Sequence, residues 1–177
     1  MKKIIYPNQN EWTTLLKRPV MNMDTLRDTV NEVLCRIKQE GDKAVIKYEE
    51  RFDKVKLDTL AVSEAELVEA EALVSAELKE AILLAKKNIH TFHAAQQFEG
   101  KKIETVPGVT CWQKAVAIEK VGLYIPGGTA PLFSTVLMLA IPAKIAGCKE
   151  IVLCTPPDKQ GKVNPAILYA AQVAGVS

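Results

Sequence analysis

The sequence predicts an α/β fold: a helix-rich N-terminal region over residues 1–115, followed over 116–177 by the first part of an incomplete Rossmann-like nucleotide-binding unit. Three observations carry that prediction. Val121, Leu123 and Ile125 recur at strand spacing and run into Pro126-Gly127-Gly128, a strong turn signal. An apolar stretch from Leu132 to Ala140 then reads as a helix, and Glu150 to Cys154 reads as a second strand. Strand, glycine turn, helix, strand is the order in which nucleotide-binding α/β units open.

The elements ahead of this unit follow from periodicity and caps. Residues 1–23 carry Ile4, Ile5, Tyr6, Trp12, Leu15 and Leu16 without a sustained period, which predicts an arm with one short helix. This arm either docks on another subunit or packs on its own core. From Asp24, a plausible N-cap, the residues Leu26, Val30, Val33, Leu34 and Ile37 fall on one helical face, and Gly41 is the stop. A second helix from Asp42 places Ala44, Val45, Tyr48 and Phe52 inward, and Leu57 to Val62 reads as a short strand. Ser63-Glu64-Ala65-Glu66 spells a capping box ahead of a helix through Leu67, Ala70 and Leu73. Ser75 opens a longer helix with Leu78, Ile82, Ala85, Ile89, Phe92 and Gln96 in one stripe. Lys101 to Lys120 alternates as strands do, through Ile103, Val106, Val109, Val116 and Ile118, with Pro107-Gly108 as a hairpin turn.

Within the nucleotide unit, Pro131 suits the first helical position because its missing N–H costs nothing there. Pro142 removes a hydrogen bond and clashes with the preceding turn, so two short helical pieces are expected, the second closed by Gly147. Asn164-Pro165 opens a last helix through Ile167, Leu168, Ala171 and Val173, closed by Gly175. A unit of this type needs a further strand to pair with the sheet already begun, so the sequence is expected to be a piece of a longer protein.

Composition sets bounds on function. Hydrophobic residues make up 48% and charged residues 25% of the 177, an ordinary globular balance. With 23 Lys plus Arg against 21 Asp plus Glu, the formal charge of +2 gives no argument for nucleic acid or an anionic membrane as partner. The most apolar window, Leu132 to Ile141, is about half a membrane span and reads as buried core. The two-residue apolar run after Lys2-Lys3 is too short for a secretory signal, and the 4 cysteines form no CxxC pair. A cytoplasmic protein with free thiols packed as small hydrophobes is the expectation.

The turn at Tyr124 to Ser134 is the one credible site. Gly127 and Gly128 let backbone approach a ligand closely, the following helix start favours an anion, and Tyr124 offers a ring to stack on a base or ribose. Thr129, Ser134 and Thr135 add hydroxyls near the same end. The alternative is a tight strand-to-helix turn with glycines for packing alone. The candidate cofactor-binding residues are Tyr124, Pro126, Gly127, Gly128 and Ser134; no acidic ribose reader stands out. His90 and His93 have a spacing that can bind metal, but no further ligand lies at matching spacing. Cys148 and Cys154 read as buried cysteines flanking a core strand rather than as reactive thiols, and Glu64, Glu66, Glu69 and Glu71 as a solvated helix face.

Taken as a string, Tyr124-Ile-Pro-Gly-Gly, Ala130-Pro-Leu-Phe-Ser-Thr-Val-Leu-Met-Leu-Ala and Ala146-Gly-Cys-Lys resembles the histidinol dehydrogenases. Gly41-Asp42, Tyr48-Glu49 and Arg51-Phe52-Asp53 are similar to that family's N-terminal region. The resemblance runs the length of the chain yet covers less than half of the usual family length. It implies oxidation of L-histidinol to L-histidine by two NAD-dependent hydride transfers, with zinc holding the substrate and a glutamate-histidine pair moving protons. It implies that Tyr124 lies against NAD, that the whole enzyme is a homodimer, and that zinc ligands and catalytic residues come from later sequence. No catalytic or metal residue is therefore assigned here, and the fragment alone is expected to be inactive. The competing expectation is a stand-alone, non-enzymatic nucleotide-binding or assembly module.

Overall fold

In a computed structural model, residues 3–18, 24–127 and 130–177 are described. Among them the chain is α/β, in the order α1 (Gln9–Leu15), α2 (Asp24–Glu40), α3 (Asp42–Phe52), α4 (Glu64–Leu73), α5 (Ala76–Ala94), β1 (Lys102–Val106), β2 (Val109–Trp112), β3 (Lys120–Tyr124), α6 (Phe133–Ala146), β4 (Glu150–Cys154) and α7 (Pro165–Ala174). The chain divides into two units, Met1–Ala44 and Val45–Ser177.

In the first unit, α1 is the single short helix expected of the arm, and its start is tied by the Asn8 N–H donating to Glu11 Oε2 at 3.0 Å. Asp24 is the first residue of α2 rather than the residue before it. Gly41 ends α2 with a φ of +60°, and its N–H donates to the Ile37 carbonyl at 2.8 Å. The apolar stripe of α2 is not buried: Leu26, Val30 and Leu34 stay exposed. The sequence pattern is that of a helix with a cover, and the described residues of this unit supply none.

In the second unit the core forms where α5, α6 and α7 meet, with α4 packed on α7. Ile82, Ile125, Val136, Leu137, Ile141, Ile167 and Tyr169 fill it. The expected stripe of α5 holds from Leu78 to Ile89 and ends there, since Phe92 is exposed; Leu73 at the end of α4 and Phe52 at the end of α3 are exposed as well. Caps fall where the sequence puts them. Ser63 Oγ accepts from the Glu66 N–H while Glu66 Oε2 accepts from the Ser63 N–H, Ser75 caps α5, and Asn164 Oδ1 accepts from the Ala166 N–H at 2.9 Å.

Several expectations fail for identifiable reasons. α6 is one helix through Pro142, not two pieces, and it begins at Phe133, two residues past Pro131. The carbonyl that Pro142 deprives of a donor is that of Met138, a half-exposed residue, while Leu137, Ala140 and Ile141 on the inner side hold the helix in place by burial. Residues 57–62 form no strand: no described segment pairs with them, and the Ala61 N–H turns back onto Thr59 Oγ1 at 3.3 Å. The hairpin β1–β2 forms around Gly108, but Val116 and Ile118 beyond it are irregular and exposed, so the parallel sheet starts at Lys120. Of the four free thiols only Cys148 is buried; Cys35, Cys111 and Cys154 are exposed, because α2, the hairpin and the end of β4 leave those faces uncovered.

The β3–β4 pair is parallel and in register from Lys120 opposite Glu150 to Tyr124 opposite Cys154. A loop pinned by Asp158 follows β4. Asp158 Oδ1 accepts from the N–H groups of Gln160 and Lys162 at 2.8 and 2.9 Å, and Lys162 Nζ reaches Glu66 Oε1 at 3.2 Å, tying the loop to α4.

The capping-box hydrogen bonds from Ser63, backbone first, together with Lys162, hold the Glu66 carboxyl down to about 2. A depressed carboxyl adds stability above its unfolded value of 4.5 that is lost as pH falls through about 2. Urea unfolding followed from pH 6 downward should show stability declining across that window, and Glu66→Gln, which keeps the capping-box geometry, should flatten the decline. An unchanged acid limb in Glu66→Gln would contradict this role.

Candidate nucleotide-binding site

Parallel pairing in register makes β3 and β4 end side by side. The Ile125 N–H donates to the Cys154 carbonyl at 2.9 Å, carrying the ladder one residue past β3, and Ile125 is fully buried beneath it. The ladder cannot continue, because the next donor would be Pro156, which has no N–H to give. The two chains part there and open a crevice at the C-terminal edge of the sheet, which is where open α/β sheets take ligands.

Two cavities occupy that crevice, of about 430 and 590 Å³. Pro126, Gly127, Thr155, Pro156 and Pro157 line both, so these residues are a common wall. Gly127 is required here by close approach: a Cβ on it would stand 2.7 Å from Pro156 Cγ. The smaller cavity adds Ala130, Pro131 and Asn164, with Glu66, Glu69 and Lys162. The Lys162 charge is balanced by Glu66 at 3.2 Å and Glu69 at 3.9 Å.

The larger cavity adds Tyr124, Cys154 and two carboxylates of α3, Glu49 and Asp53. The Tyr124 residue is 64% exposed, which leaves the ring available for stacking. Glu49 Oε2 and Thr155 Oγ1 are buried without a hydrogen-bond partner, as is Tyr48 Oη. Partial burial, then the Asp53 charge, pushes the Glu49 carboxyl above its ordinary range. Unpaired polar atoms at a cavity wall are costly unless something fills their valences.

α6 opens beside the crevice with no side-chain cap on Leu132. The Leu132 carbonyl accepts from Thr135 and Val136, so the first-turn N–H groups of Phe133 and Ser134 have no intrahelical acceptor. Among the residues singled out from sequence, Tyr124, Pro126 and Gly127 come together at the crevice. Ser134 is exposed in the first turn of α6 and lines neither cavity, while Gly128 and Thr129 lie outside the described residues. Glu49, Asp53 and Thr155 were not marked by the sequence. Glu49 and Asp53 are four apart, the spacing that puts two side chains on one helix face, and this was the available signal.

His90 is exposed and His93 stacks edge-on against Phe92 with ring centroids 5.4 Å apart. Among the described residues no three His, Cys, Asp or Glu side chains come close enough to hold a metal ion, so the donor set does not fit zinc and no step is assigned to it. The crevice brings together an exposed ring, a glycine at close approach and unpaired polar atoms.

The family model for histidinol dehydrogenase matches residues 16–177. This chain belongs to the histidinol dehydrogenase family. It is 66% identical over 177 residues to the histidinol dehydrogenase of Bacteroides thetaiotaomicron and 68% identical to that of Bacteroides fragilis, covering 100% of this chain and 41% of each relative. The crystal structure of histidinol dehydrogenase from Elizabethkingia anophelis superposes with a TM-score of 0.90 at 53% identity, covering 96% of this chain and 39% of that one. The chain spans less than half the length of the relatives it matches. Identity at this level does not favour a stand-alone module.

Gly127→Ala should force the Pro156 segment aside, at a cost of about 1–3 kcal/mol in unfolding free energy. Urea denaturation measures it; a variant as stable as the parent would show that the wall yields freely.

Proposed function

We propose that this chain contributes the first part of the NAD site of a histidinol dehydrogenase, and that the whole enzyme oxidises L-histidinol to L-histidine in histidine biosynthesis. The observation that supports it best is the exposed Tyr124 ring at the C-terminal edge of a parallel strand pair, beside Gly127 and a cavity of about 590 Å³. NAD, when bound, accepts hydride from the substrate carbon at each of two oxidation steps. What this chain does is bind and orient. Tyr124 stacks on the flat part of the nucleotide, Pro126 and Gly127 bring backbone close, and Gly128 and Ser134 belong to the turn and helix start that favour the phosphates.

The nucleotide unit begins at residue 116 on this reading, with residues 1–115 as the region before it. Following the family resemblance, zinc, its ligands and the proton-moving glutamate-histidine pair are assigned to no residue of this chain, and the whole protein works as a cytoplasmic homodimer. The 177-residue chain is therefore inactive by itself.

Calorimetric titration of the chain with NAD should show binding that Tyr124→Ala weakens about tenfold, the scale of losing one aromatic stack. Equal affinity in the two proteins would overturn the role of Tyr124. In parallel, mixing the chain with L-histidinol, NAD and zinc should yield no NADH turnover; steady turnover would defeat the claim that catalytic residues lie elsewhere.

A further inference from the structure

In a strand-turn-helix-strand nucleotide unit, the carboxylate that reads the ribose stands at the end of the second strand. Here that place holds Cys154, Thr155, Pro156 and Pro157, none of them acidic. Asp158 comes next, but its Oδ1 accepts from the N–H groups of Gln160 and Lys162 and it lines the smaller cavity, not the one that holds Tyr124. The turn-helix sequence therefore lacks the reader that a dinucleotide site ordinarily contains.

A carboxylate reaches the same cavity from a different part of the chain. Glu49 lies on α3, well before the nucleotide unit, yet it lines the cavity together with Tyr124, Gly127 and Thr155. Its Oε2 is buried with no partner, and so is Oγ1 of Thr155, the residue after β4. An ionised carboxylate only accepts, and a threonine hydroxyl both donates and accepts. A ligand group that donates hydroxyls to the carboxylate and offers an oxygen to the threonine satisfies both. A vicinal diol does this. Asp53 adds a second negative charge to the wall, and no Lys or Arg lines this cavity among the described residues. A phosphate on the diol would face two carboxylates with no cation to offset them.

We propose that Glu49, with Thr155, is the ribose-diol reader of this site and makes it selective for NAD against its 2′-phosphorylated form. The selectivity rests on the NAD reading above. Its sequence source is new: the reader comes from α3, not from the strand-turn-helix unit.

The test uses the 177-residue chain and two probes, NAD and NADP, titrated calorimetrically at one ionic strength. The parent should prefer NAD by about tenfold or more, the scale of a single charge-assisted hydrogen bond. Glu49→Gln keeps the side-chain shape and should narrow that preference about tenfold, through weaker NAD and stronger NADP binding. Thr155→Val, the second variant, should weaken NAD several-fold without strengthening NADP, and carries the test if Glu49→Gln unfolds; thermal melts of both variants identify that case. A parent that binds both dinucleotides equally, or variants that leave the ratio and the NAD affinity unchanged, overturns the assignment. If NAD still binds in a Tyr124-dependent way, the nucleotide reading survives that failure. If the parent binds neither probe, both readings fall.

Discussion

The parallel pairing of β3 with β4 is the constraint on which the rest of the second unit depends. Parallel neighbours cannot be joined by a tight turn and need a crossover, which α6 supplies. A crossover helix over a two-stranded pair has to bury its inner side, and Val136, Leu137, Ala140 and Ile141 do so against α5 and α7. That burial is also why Pro142 is tolerated in mid-helix: the deficit falls on the half-exposed residue Met138 while the inner packing stays intact. The same pairing sets the crevice, since two strands in register and pointing the same way run out of ladder together.

Much of this was legible in the sequence where a local rule decides the outcome. Ser63, Ser75, Asn164, Gly147 and Gly175 mark helix ends because caps and left-handed glycines are matters of a few neighbouring residues. The strand Glu150 to Cys154 and the hairpin around Gly108 are legible for the same reason. The misreadings share another cause. Pro142, the non-strand at 57–62, and the exposed faces of Leu26, Leu73 and Phe92 each depend on which surface lies opposite, and periodicity does not contain that information. A strand needs a partner and a stripe needs a cover.

The site divides along the same line. Tyr124, Pro126 and Gly127 were legible because a turn motif is contiguous. Glu49 and Thr155 were not, because they come to line one cavity only in the folded chain, across about a hundred residues of sequence. Chemistry assembled from distant segments leaves no local signature, and unpaired buried atoms are visible only once the assembly exists.

The wall shared by the two cavities has a thermodynamic consequence. Pro126, Gly127 and Thr155 to Pro157 face both spaces, and Gly127 against Pro156 leaves no slack between them. A guest that shifts Pro156 on one side reshapes the other side at the same time. Occupancy of the two spaces is then linked, and linkage is reciprocal: whatever factor a guest in one imposes on affinity in the other, it receives back unchanged. A crevice closed by prolines is in this sense one binding element with two faces, and its stiffness sets how strongly each face senses the other.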